Sequence, residues 1–164
     1  MNYDEEIVEG ILENQGIIFK VCNSYCNNKS DREDLAQEIM YQLILSSKSY
    51  NSELKLSTWM YRVALNVAIS FYRKTKSSKT ILMDEMPKLS AEGSENSSEL
   101  ESKLNALEQF IHELKELDKA LMLLYLESKN YKEISEILGI SETNVATKIS
   151  RIKEVLKKKF EKTK

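Results

Sequence analysis

The residues of this 164-residue chain whose types and spacing suit a chemical task fall on two predicted helices. In YKEISEILGISETNVATKISRIKEVLKKKF (131–160), Val145, Ile149, Ile152, Leu156 and Phe160 form an apolar stripe at helical spacing. The opposite side carries Asn144, Thr147, Lys148, Ser150 and Arg151, with Lys153, Lys157, Lys158 and Lys159 further on. Small polar side chains suit contact with base edges, and lysines suit phosphates. Residues 144–164 hold 8 basic and 2 acidic residues, which favours an anionic partner. Just before this helix, Ser135, Gly139 and Val145 have helix-turn-helix spacing, with Ile134, Ile137 and Leu138 facing inward and Ser141 as the expected cap. The glycine supplies the left-handed backbone such a turn needs. A helical hairpin with a solvated basic face is the plainer reading. Agreement among the turn glycine, cap, stripe and polar face favours DNA binding.

The second candidate is STWMYRVALNVAISFYRK (57–74). Helical spacing puts Met60, Val63, Ala64, Val67, Ala68 and Phe71 on one side and Trp59, Arg62, Asn66, Ser70, Arg73 and Lys74 on the other. No acidic residue occurs from Lys55 to Lys79. Aromatic rings stack on unpaired bases and guanidinium groups hold phosphates, so this side suits a nucleic-acid strand. The pattern equally allows Trp59 to seal the start of the helix against a core.

No sequence pattern points to catalysis. The single histidine, His112, falls in an amphipathic helix, at the surface or at the edge of a core. There is no phosphate-binding glycine loop, nucleophile elbow or zincin motif. Cys22 and Cys26 stand four apart on a helix, but no nearby His or second Cys pair completes a metal site, so buried thiols are expected. No metal, cofactor or enzymatic activity is expected.

The elements that position these residues are helices. The chain has 4 Gly and 1 Pro, too few turn residues for a sheet protein. Helices are predicted over about 4–28, with Gly10 and Gly16 as possible breaks, and from about Asp31 to Ser47 behind a Ser30/Glu33 capping box. After a loop at 48–56, Ser57 is the expected cap of a helix to about Lys76. Further helices are expected at about 99–115, 117–128, 131–138 and 142–160. Residues 84–98 (DEMPKLSAEGSENSS) hold the one proline and four serines and read as a flexible linker. The expectation is all-α: two small helical domains, 1–80 and 101–164, joined by an acidic linker at 81–100.

Charge follows the same division. The formal net charge is −2, distributed as −6 over 1–54, +6 over 55–80, −7 over 81–127 and +5 over 128–164. Two cysteines make no disulfide framework, and no apolar run approaches the roughly 20 residues of a membrane span. The start, MNYDEEIVEG, lacks the basic and apolar segments of a signal peptide. A cytoplasmic protein without membrane insertion is expected.

With these motifs in order, the chain resembles a sigma factor of the sigma-70 family, of the extracytoplasmic-function (group IV) type. DREDLAQEIMYQL (31–43) is similar to the family helix that docks on core RNA polymerase. STWMYRVALNVAISFYRK resembles the helix that recognises and opens the −10 promoter element, and 101–164 resemble the helix-turn-helix unit that reads the −35 element. The resemblance implies that Asp34, Leu35, Gln37, Glu38 and Tyr41 serve polymerase binding. The face of Asp34, Glu38 and Tyr41, turned away from Leu35, Ile39 and Leu43, would meet the β′ clamp helices, and the β flap would be a further contact. It implies −10 contacts from Trp59, Tyr61, Arg62, Asn66, Ser70, Arg73 and Lys74, with Asn66 matching a family asparagine. The loop Lys48–Leu56 would capture a flipped base, against an unstacking cost of a few kcal/mol. On the −35 side it implies Asn144, Thr147, Lys148, Ser150 and Arg151. Ala146 stands where many members carry Arg, Asp118 where Pro is frequent and Ser135 where Ala is usual. The implied function is promoter-specific transcription initiation with core RNA polymerase and promoter DNA as partners, under restraint by an anti-sigma factor. The rivals are a helix-turn-helix regulator acting without polymerase docking and a sigma-like decoy.

Overall fold

A computed structural model describes residues 4–79 and 98–162, and the side chains of 76–79 are not considered. The described residues form eight α-helices and one short 3-10 turn, with no strand among them. Helices α1 (Glu5–Glu13), α2 (Gly16–Tyr25), α3 (Lys29–Ser46) and α4 (Leu56–Lys79) make one bundle. Helices α5 (Glu99–His112), α6 (Glu116–Leu126), α7 (Tyr131–Leu138) and α8 (Glu142–Lys162) make a second. Most of the expected linker lies outside the described residues. Its last residues belong to α5, where the Ser98 hydroxyl caps the helix by accepting from Glu101 N.

Local chemistry sets the element ends. Asp4 caps α1 by accepting from the backbone N–H groups of Glu6 and Ile7. The break after α1 falls at Asn14–Gln15, where the Asn14 amide folds back to donate to Gly10 O at 2.8 Å. Gly10 stays inside α1, and its role is close approach: a Cβ there would lie 2.6 Å from Leu56 Cδ2 at the start of α4. Helix α3 starts two residues earlier than the capping-box reading placed it. Asn28, not Ser30, is the cap, its Oδ1 accepting from Asp31 N at 2.8 Å. Asparagine caps as well as serine, so Ser30 passes into the first turn. Ser57 likewise lies within α4 rather than capping it, because the Trp59 N–H already closes a helical bond onto Lys55 O.

Fully buried Ile11, Val21, Leu35, Ile39, Leu43, Met60 and Ala64 fill the first core, and Leu121, Leu124, Ile134, Val145 and Ile149 the second. The two join in one continuous cluster of buried residues. Helices α6 and α7 pack on α4, and α5 and α6 on α2. Cys22 and Cys26 are buried and unbridged, and burial pushes their thiols up to about 11 and about 12.

His112, at the end of α5, has a buried Nδ1 with no hydrogen-bond partner. Burial, aided by nearby Lys119, holds its pKa below the ordinary histidine value. The unfolded chain therefore takes up this proton near pH 6.5 while the folded chain resists it. Stability should fall as pH drops below 6.5 toward the folded value, with a slope of up to about 1.4 kcal/mol per pH unit from this group. Urea midpoints of the wild type between pH 7.5 and 5.5 should drop more steeply than those of His112→Gln. Parallel slopes would remove His112 as the cause.

Candidate nucleic-acid interface

The polymerase-docking residues inferred from sequence lie on α3, which buries one face and exposes the other. Leu35 is fully buried with Ile39 and Leu43, so it anchors the helix rather than meeting a partner. Asp34, Gln37 and Glu38 are exposed on the outer side. Tyr41 is 58 % exposed and Leu45, one turn on, 52 %. Two large apolar side chains left in water extend the Asp34–Glu38 face, and they suit a partner surface. Leu45 is absent from the sequence-based set, although its spacing from Tyr41 continues the same row.

Helix α4 does not carry its seven candidate residues on one side. Asn66, Ser70 and Lys74 recur every fourth residue and, with Val67 and Phe71, line a cleft of about 580 Å³ whose other wall is Asp34, Glu38 and Gln42 of α3. The structure thus brings part of the docking set and part of the −10 set to the two walls of one groove. Its carboxylates stand opposite an ammonium group, while Asn66 and Ser70 supply uncharged hydrogen-bonding groups.

Trp59 and Tyr61 are elsewhere. Trp59 is only 8 % exposed, its ring tilted against Tyr50 at 5.1 Å between centroids. The Tyr50 hydroxyl donates to Leu54 O, and Asn51 shapes the same loop by accepting from Glu53 N at 3.0 Å. Trp59 therefore seals the head of α4 against the 47–55 loop, the second of its two sequence readings. Tyr61 is 3 % exposed, and its hydroxyl pKa is pushed up to about 12 by burial and by Glu127, just past the end of α6. It begins a second apolar row, Tyr61, Leu65, Ala68 and Tyr72, of which the two-faced reading of α4 includes only Ala68. In this conformation neither ring is available to a base.

The two arginines border this second row. Arg62 donates from its guanidinium to the carbonyl of Glu136 on α7, and Arg73 Nε lies 2.9 Å from Glu116 Oε1 on α6. Both groups are engaged by the second bundle.

The helix-turn-helix is built as its spacing predicts. Asn130 and Glu133 form a reciprocal capping box at the head of α7. Gly139 ends it at φ +71°, in the left-handed region, and donates to Ser135 O at 2.8 Å. The Ser141 hydroxyl then accepts from Asn144 N at 3.1 Å, starting α8. Val145, Ile149, Ile152 and Leu156 are buried, while Asn144, Thr147, Ser150 and Arg151 are exposed and Lys148 is half-buried. The Thr147 hydroxyl donates to Thr143 O within its own helix. Two of the expected phosphate lysines hold protein groups: Lys153 donates to the Tyr125 hydroxyl at 2.6 Å, and Lys159 pairs with Glu113 at 2.6 Å. Lys157 and Lys158 are exposed. Among the described residues, no group of His, Cys, Asp and Glu is placed to hold a metal ion.

Comparison with known proteins fits this layout. Residues 11–78, spanning most of α1–α4, match the family model described as Sigma-70 region 2, and residues 104–156 match Sigma-70, region 4. The ECF RNA polymerase sigma factor SigM of Bacillus subtilis (strain 168) is 30% identical over 141 residues, covering 85% of this chain and 86% of its own length. SigW of the same organism is 29% identical over 154 residues, with coverages of 87% and 82%. The ECF RNA polymerase sigma-E factor of Haemophilus influenzae is 26% identical, with coverages of 96% and 95%.

Proposed function

Because this chain belongs to the sigma-70 family, as a factor of the extracytoplasmic-function type, we propose a division of its promoter-directing work among three surfaces. The family function is plain: it is a transcription initiation factor that binds core RNA polymerase and promoter DNA, and sigma factors are not enzymes.

The exposed α3 row of Asp34, Gln37, Glu38 and Tyr41, extended by Leu45, docks on polymerase at the β′ clamp helices. The cleft walled by Asn66, Ser70 and Lys74 takes the −10 strand, with Arg62 and Arg73 as phosphate contacts and the 48–56 loop beside it for a flipped base. Helix α8 reads the −35 element through Asn144, Thr147, Lys148, Ser150 and Arg151, while α5–α8 meet the β flap. The units divide as 1–80 and 101–164. An anti-sigma protein restrains the factor, which acts in the cytoplasm; no described helix is long and apolar enough to cross a membrane.

The α3–α4 cleft is the observation that carries this assignment, since it sets the docking helix against the −10 helix and couples the two events through one groove. A helix-turn-helix regulator without polymerase docking leaves the match over 11–78 without a role.

The purified factor, added to core polymerase with a genomic library, should give run-off transcripts from a defined promoter class. No core-dependent start sites would overturn the reading. Arg151→Ala should weaken use of the −35 element by about 1–3 kcal/mol if its guanidinium meets a base edge, or flatten the salt dependence if it meets a phosphate. An unchanged −35 preference in footprints and transcription would assign the reading to other residues.

A further inference from the structure

Lysines of this chain are held in different ways. Lys20 meets the carboxylate of Glu127 and Lys159 that of Glu113. Lys119 of α6 is almost fully buried and lies against the rings of Tyr25 and Tyr72. Lys153 of α8 follows neither pattern. It is exposed, its Nζ donates to the Tyr125 hydroxyl of α6 at 2.6 Å, and the ammonium stands 4.2 Å from the centroid of that ring. Among the described residues no carboxylate lies within ion-pair distance of it.

This difference decides what the lysine can still do. An ammonium paired with a carboxylate is neutralised, whereas one fixed by a neutral oxygen keeps its charge. With one N–H given to Tyr125, Lys153 has its other donors left, and the phenol, having used a lone pair, still has its own O–H to give. Polarised by the cation, that O–H is a stronger donor than a free phenol. The hydrogen bond to Tyr125 raises the Lys153 pKa above its ordinary value, and Tyr131, the first residue of α7 and itself exposed, adds to the effect. Three helices thus bring donors to one corner.

The corner lies beside the DNA-reading face. Ser150, Lys153 and Lys157 recur at i, i+3 and i+7 and are all exposed, so they form a row along α8 next to that face. In a helix-turn-helix the second helix enters the major groove while the first crosses the sugar–phosphate backbone. The side of α8 joined to α6 and to the head of α7 therefore looks at backbone rather than at base edges.

From this arrangement we infer that Tyr125 and Lys153 form a phosphate seat beside the recognition helix, Tyr125 acting as the positioning residue that holds the Lys153 ammonium against a backbone phosphate flanking the −35 element. The inference rests on the promoter reading above and adds to that site a tyrosine outside its base-reading set. The gain is preorganisation. A free lysine side chain samples many rotamers and loses them when it meets a phosphate. Lys153 has already lost them to Tyr125, so less remains to be lost on DNA. The contact carries no base information; it fixes how α8 is turned in the groove, and so which side chains reach the bases.

The test uses holoenzyme assembled from core polymerase and the full-length chain, titrated with a labelled promoter duplex from the run-off library at several salt concentrations. Lys153→Gln should weaken binding by about 10-fold at low salt and flatten the slope of log K against log salt by about 0.9, as one lost phosphate contact requires. Lys153→Arg should restore the slope. Tyr125→Phe keeps the ring and the charge but removes the oxygen, so it should leave the slope unchanged and weaken binding by about 5-fold. Both losses should recur on a duplex with a scrambled −35 element, because a phosphate contact acts uniformly across sequences. A lysine that only pinned α8 to α6 would lower the melting temperature and leave the salt slope alone. Should Lys153→Gln melt early, Lys153→Met keeps the apolar stem on the ring and serves instead. A wild-type salt slope in the uncharged variant, wild-type affinity in Tyr125→Phe, or losses confined to one −35 sequence would each overturn the seat. Failure of the promoter reading looks different: the wild type then gives no core-dependent start sites, while the salt slope of the free chain on any duplex still reports the seat.

Discussion

Trp59→Ala should remove about 3–5 kcal/mol from the stability of the chain, and with it both promoter opening and core binding. The indole is buried against Tyr50, which in turn pins the loop through Leu54. Truncation leaves a cavity at the junction of α4 with the 47–55 loop. Against a total stability of about 5–15 kcal/mol, that loss is a large fraction. Thermal melting should shift down by roughly 2–4 °C for each kcal/mol. Trp59→Phe keeps a ring on Tyr50 and should recover most of the loss. Asn66→Ala is the contrast: an exposed residue, it should change stability by no more than about 0.5 kcal/mol while reducing open-complex formation with core binding nearly intact. A Trp59→Ala protein that melts like the wild type, binds core and fails only at opening would return the indole to the DNA-contact set.

The second large effect concerns α3. Reversing charge at Asp34 and Glu38 together, by Asp34→Lys and Glu38→Lys, should weaken binding to core polymerase by about 100-fold or more, near 3 kcal/mol. Both side chains are exposed. Within the protein the pair of changes breaks the 3.2 Å hydrogen bond that Gln42 donates to Glu38, itself on the surface, so melting should hardly move. Affinity for core measured by fluorescence anisotropy, alongside a melt of the same sample, separates docking from folding. Core affinity equal to the wild type would overturn the assignment of this face.

What was legible in the sequence was local. Gly139, Ser141 and the stripe from Val145 to Leu156 each depend on residues within a turn or two, so spacing alone places the helix-turn-helix and its polar face. The same locality explains the slip at α3, where Asn28 and Ser30 are both competent caps and only the packed start of the helix decides between them. The errors on α4 have a different origin. Tyr61, Leu65, Ala68 and Tyr72 form an apolar row beside the first, but a helix buried on two sides has no single moment from which a second partner can be read. The family resemblance put Tyr61 among the −10 contacts with the arginines, whereas the second bundle decides its burial. Lys119 was invisible for the same reason. In sequence it is one lysine in an amphipathic helix, and its environment is made by rings from α2 and α4. Trp59 marks a limit of composition: an aromatic among basic residues fits a stacked base and a sealed helix start equally well, and burial alone separates the two.

The buried Cys22 and Cys26 leave the molecule chemically silent toward thiol reagents. Alkylation and oxidation proceed through the thiolate, and groups titrating near 11 and 12 hold roughly one part in ten thousand or less of that form at neutral pH. In the folded chain both thiols are therefore poor targets for oxidation. In practical terms, one cysteine introduced at an exposed position becomes the sole reactive thiol of the folded chain, with the native pair left in place.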